Sequence, residues 1–240
     1  MISCKCFSVT TLKLFVVLAL LDSSGCCSAP PDFDPEGGPS WVARRVLVES
    51  ELARRPGDPG LRLELAKILY FEGLEGGGEP HLRSKALFED LQGEMPDDPL
   101  IVAYLGSLEM LEGARSLLPW RILSGARAGL ARLDEAVESA PLDPEIRFLR
   151  GMACFNLPGF FAREETARED LARVAREAEA AAASGALEPD LGAAALFHHA
   201  RLLEREGEDH QARLAFERAA RLAPDSPAGK DARRELGGRR

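Results

Sequence analysis

Apolar residues recur along this chain at helical rather than strand spacing. Between Ala193 and Pro224, Leu196, Ala200 and Leu203 share one face, Gly207 interrupts, and Ala212, Phe216 and Ala219 share the next. Spacings near i, i+4, i+7 match one face of a 3.6-residue helix. The stretch therefore predicts two amphipathic helices joined by a short turn. No segment of the body alternates apolar and polar residues between hairpin turns, so no sheet is expected.

Proline punctuates the pattern at regular places. Pro56-Gly-Asp-Pro59, Pro96-Asp-Asp-Pro99, Pro141-Leu-Asp-Pro144 and Pro224-Asp-Ser-Pro227 repeat one phrase, and the intervals between their first prolines are 40, 45 and 83 residues (96 − 56, 141 − 96 and 224 − 141). Pro189 falls inside the longest interval. The first proline cannot extend the preceding helix, Asp or Ser is a good N-cap, and the second proline suits the first helical position, where no amide hydrogen is needed. Each phrase predicts the end of one helix, a turn and the start of another.

The Ala193 to Pro224 unit resembles the tetratricopeptide repeat: large, small and large apolar residues at Leu196, Ala200 and Leu203, then Ala212, Phe216, Ala219 and Pro224 on the second helix. His199 stands where that family usually has leucine. Looser units fit the same template. They are Leu65, Ala66 and Leu69 with Ser84, Phe88 and Pro96, then Leu105 and Gly106 with Gly129, Leu133, Ala136 and Pro141, then Gly151 and Cys154 with Ala167 and Leu171. The first carries a Gly-rich loop, LEGGGEP, and the second about eleven residues inserted around LLPWR, so the period exceeds the family's usual ~34 residues. HEAT-type repeats are the alternative at the level of fold. The expectation is an all-α solenoid of about four stacked antiparallel helix pairs over residues 40–236, with a lone helix from Ser40 to Arg54 before it, a capping helix from Pro227 to Leu236 and a tail at 237–240.

Composition agrees with helices, with 45% apolar residues and only 6% aromatic residues in 240. The net charge of −9 gives no support for nucleic-acid binding. The N-terminus changes the picture of where the chain works. Lys5 and Lys13 precede or flank the apolar run Leu14 to Leu21, and small residues follow, as in an export signal over residues 1–25. Ser24-Gly25-Cys26 resembles the end of a bacterial lipoprotein cleavage box, although Ser23 replaces the usual aliphatic residue. That resemblance implies lipidation of Cys26, a membrane anchor and a Pro/Gly-rich tether over residues 26–39. Secretion with cleavage after Ser28 or Ala29, or a cytoplasmic chain, are the alternatives.

Candidate chemistry is sparse. The chain has no Gly-x-Ser-x-Gly, phosphate loop, His-Glu-x-x-His or Cys-x-x-Cys, so no catalytic residue, metal or cofactor is expected. His198, His199 and His210 lack a ligand spacing, Cys154 fits a small core position, and the Arg163 to Ala182 helix reads as a solvated face. Trp120 and Phe160-Phe161 read as staples at the starts of second helices, or as a binding patch. The repeat resemblance implies a concave face lined by each first helix: Glu64, Lys67, Tyr70 and Phe71, then Tyr104, Ser107 and Met110, then Phe148, Met152 and Phe155, then His198, Arg201 and Arg205. Aromatic and basic residues there suit a peptide or partner helix. The expected function is a non-enzymatic adaptor of the bacterial cell envelope that binds another protein, with a small-ligand-binding accessory subunit of a transport system as the alternative.

Overall fold

The computed structural model describes residues 41–76 and 78–238. The expected leader, the tether and Cys26 lie outside the described residues. Among the described residues there are ten α-helices and no strand. They are α1 (Trp41–Arg54), α2 (Pro59–Gly76), α3 (Glu79–Glu94), α4 (Pro99–Ala114), α5 (Pro119–Ser139), α6 (Pro144–Phe155), α7 (Glu164–Ser184), α8 (Pro189–Arg205), α9 (Asp209–Leu222) and α10 (Pro227–Gly237), with a 3-10 turn at Gly159–Phe161. Helices α2 to α9 form four successive pairs. Helix α1 packs on α2 through Val48, Leu52 and Trp41, and α10 packs on α8 and α9 through Ala228, Ala232 and Leu236.

The proline phrases act as their chemistry dictates. Asp98 accepts hydrogen bonds from the amides of Leu100 and Ile101, Asp143 from those of Glu145 and Ile146, and Ser226 from that of Gly229, each one residue before a proline that opens its helix. Before the first prolines, Met95, Ala140 and Ala223 take nearly the same backbone shape, with φ/ψ of −132/69°, −133/70° and −140/78°. The pyrrolidine ring that follows each of them disfavours the helical region and ends the helix there.

Packing follows the repeat template closely. Ala66, Leu69, Phe88, Leu133, Leu171, Leu196, Ala200, Ala212, Phe216 and Ala219 are buried, Leu203 is partly buried, and the template prolines Pro96, Pro141 and Pro224 are exposed. Small residues set the closest approach. A Cβ on Gly129 would lie 2.3 Å from the Gly106 carbonyl oxygen, and one on Gly125 would lie 2.9 Å from Gly113 Cα. Backbones of α4 and α5 therefore touch along two turns.

Three expectations change. The Gly-rich stretch is mostly helical, since α2 continues to Gly76 and Gly78, at φ 66°, makes the turn. The insertion around LLPWR lengthens helices instead of forming a loop, so that α5 runs for 21 residues. The charged α7 is not wholly solvated: Asp170 is fully buried and accepts bonds from Arg147 and Arg150, while Asp134 on α5 holds Arg150 and Arg163.

Gly129→Ala is expected to cost about 2–3 kcal/mol in urea denaturation, because both neighbours of the new methyl are backbone or packed side chain. Gly93→Ala, on the exposed side of α3 with open space around it, should stabilise by up to ~1 kcal/mol. Equal effects would mean that the α4 and α5 backbones do not meet as described.

Candidate functional site

The first helices of the four pairs face a common interior. Phe71 of α2 packs against the cluster formed by Phe148 of α6 and Leu191 of α8, so the array curls until its first and last pairs approach. A buried carboxylate sits at the centre of this curl. Glu145 of α6 accepts hydrogen bonds from Lys67 Nζ of α2 at 2.8 Å and from the Tyr104 hydroxyl of α4. Burial and then the Glu145 charge raise the Tyr104 phenol well above its ordinary pKa, so it remains a donor. At the rim Arg44 of α1 bridges Glu188, just before α8, and Glu64 of α2. Trp41 stacks on Phe71 with ring centroids 5.0 Å apart.

Above this node lies an open groove of about 460 Å³ that runs across all four pairs to α10. Of the residues placed on the concave face from the sequence, Tyr70, Phe71, Ser107, Met110, Phe148, Met152 and His198 line it. The remaining expected residues do not. Tyr104 is fully buried beneath it, and Lys67 is turned to Glu145 and a separate 300 Å³ recess beside Trp41, Arg44 and Glu188. Arg201 bonds Glu204 and Glu235, and Arg205 lies over the Phe155 ring at 4.9 Å. The basic residues expected to line the groove thus engage other parts of the fold instead.

Other residues complete the walls. Exposed Leu74 comes from the stretch read as a loop, Ile122 and Leu123 from the lengthened first turns of α5, and Phe160 and Phe161 from the 3-10 turn, their rings 4.7 Å apart. Phe161 packs against Ala167 in the first turn of α7, as a staple would, whereas Phe160 stays exposed beside the groove. Trp120 is exposed and does not line the groove. Insertions relative to the family template therefore supply much of the groove wall. Departure from the repeat pattern was the available signal for them.

His198, Tyr70 and Cys154, in and beside the groove, are held neutral. Burial, with Arg201 and Arg205 adding to it, lowers His198 to about 4. Burial pushes Tyr70 up to about 12, an effect the nearby Ser107 hydroxyl offsets slightly without reaching ordinary hydrogen-bond geometry. Cys154, in the core behind the groove, is pushed up to about 11 by burial, so its thiol stays protonated and weakly nucleophilic. Among the described residues no group of His, Cys, Asp and Glu could hold a metal ion, and no helix is long and apolar enough to cross a membrane.

The sequence matches no family model and no curated protein. The fold is similar to the crystal structure of a thermophilic tetratricopeptide repeat protein from Thermus thermophilus. The TM-score is 0.56 at 18% identity, covering 95% of this chain and 96% of that one. That likeness, at the level of fold, agrees with a tetratricopeptide-like solenoid.

Glu145→Ala should cost about 3–5 kcal/mol by leaving Lys67 and Tyr104 without their acceptor, and Glu145→Gln, which still accepts from Tyr104, should cost less. Equal losses on urea denaturation would make the carboxylate a bystander. For His198 the unfolded imidazole takes its proton near pH 6.5 and the folded one only near 4, so its contribution is present above pH 6.5 and is lost as pH falls through that window. His198→Asn should remove about 2–3 kcal/mol of the stability lost between pH 7 and 4. An unchanged pH dependence would refute this.

Proposed function

We propose that this chain is a non-enzymatic scaffold that holds a peptide or helix of a partner protein in its concave groove. One observation carries the reading: the groove is continuous over all four helix pairs and lined mainly by apolar side chains, with Leu74 and Phe160 exposed at 46% and 65%. Aromatic and aliphatic anchors along a connected trough are how peptides and helices are held. The export signal and the small residues before Cys26 support placing this scaffold in the bacterial envelope, tethered by a lipidated Cys26. A second reading, a small-ligand subunit, is favoured by the paired Phe160 and Phe161 wall and by a volume within the range of small-molecule sites.

A photocrosslinking amino acid at Leu74 should trap one partner in intact cells, and Phe160→Ala should weaken its purified complex by about 2 kcal/mol, near thirtyfold in Kd, without lowering Tm. Absence of a crosslinked protein, with stabilisation by a metabolite instead, would favour the small-ligand reading. The mature N-terminal peptide should carry lipid on Cys26 and lose it in Cys26→Ser. A terminus after Ser28 or Ala29 would make the scaffold a soluble secreted one.

A further inference from the structure

The groove is charged at one side only. Walls from α2, α4 and α5 contribute residues such as Leu74, Met110 and Leu123 and no charged group. Asp190 of α8 and Asp231 of α10 are the charged residues that line it, and both are acidic. Asp231 is paired with Arg234 one turn along its own helix. Asp190 is different: it is half-buried and makes no ion pair among the described residues, although its neighbourhood contains Glu188 and Asp225 as well as Arg44. Arg44 is already held by Glu188 and Glu64.

Asp190 stands in the first turn of α8, whose N-terminal dipole favours a carboxylate, and it lines the groove with no ion-pair partner among the described residues, so a cation entering there would meet an acid not already neutralised. Burial and then Glu188 push the Asp190 carboxyl up and Arg44 opposes them, so a further cation beside it would favour the charged form. Resting on the groove reading above, we propose that the partner segment is apolar and cationic, its apolar side chains lying along α2, α4 and α5 and a Lys or Arg meeting Asp190 at the α8 and α10 side. The same arrangement gives the bound segment a direction, since only one end of the groove welcomes a positive charge. Charge complementarity of this kind steers encounter and rejects acidic segments.

The test pans a library of displayed random peptides on the full chain, with Leu74→Glu and Asp190→Asn variants as parallel baits, all confirmed folded by thermal melting. Peptides that bind the wild-type chain and are lost on Leu74→Glu should combine apolar residues with Lys or Arg. A synthetic peptide made from the consensus should bind Asp190→Asn about tenfold more weakly and lose affinity as salt rises. Leu74-dependent peptides without excess Lys or Arg, or with unchanged affinity for Asp190→Asn, would overturn the cationic inference and leave the groove reading intact. No Leu74-dependent peptide would remove both. A dimer in light scattering that Leu74→Glu dissociates would also overturn the proposal, because a second copy would then fill the groove.

Discussion

A single buried carboxylate sets the curvature on which the groove depends. Apolar packing between successive helix pairs is not directional, and the same buried area could be reached over a range of rotations between pairs. Glu145 narrows that range because a buried charge must find partners, and its partners stand on two other pairs: Lys67 on α2 and Tyr104 on α4. Only one degree of curl brings all three together. Arg44 closes the same ring at the rim through Glu188, but from a more solvated position, where ion pairs contribute less. The core node therefore defines the shape and the rim contact reinforces it.

Curl of this degree has consequences at each layer above it. It brings Phe71 to Phe148 and Leu191, which gives the trough a packed floor. It also depends on the glycine contacts of α4 and α5, because thicker helices at Gly106 and Gly129 would push the second pair outward. The buried Asp170, gripped by Arg147 and Arg150, holds α7 behind α6 by the same logic on the outer side. The most buried charged groups of this protein thus work between helices, within a pair as well as across pairs, where apolar contact alone would leave the angle loosely set.

Helix boundaries and packing positions were legible because they are local. An Asp or Ser before proline caps its helix whatever surrounds it, and Leu196, Ala200, Ala212 and Phe216 face inward because 3.6-residue periodicity places them there. The groove was legible in part for a related reason. Helix phase places Tyr70, Met110 and Met152 on the inner side, but whether a residue there lines the trough or lies beneath it depends on the angle between pairs. Tyr104 and Lys67 went beneath because they bond Glu145, 41 and 78 residues away, and a repeat period shows which helices adjoin but not which of their side chains meet. Arg201 was lost to the groove through Glu235 on α10, and Asp170 looks like its solvated neighbours until Arg147 and Arg150 arrive from another helix.

The chemistry left facing the groove favours holding over reacting. Burial removes the proton from His198 and retains it on Tyr70, so neither group is poised to exchange one near neutral pH. What remains is extensive apolar surface, much of it from residues that depart from the repeat template: Leu74 in a helix extended through glycines, Leu123 in a lengthened second helix and Phe160 in an added turn. Irregularities that cost the repeats their regular period put side chains where an occupant would be desolvated. The regular skeleton of small residues and capped helices supplies rigidity, and the insertions supply the exposed apolar walls of the groove.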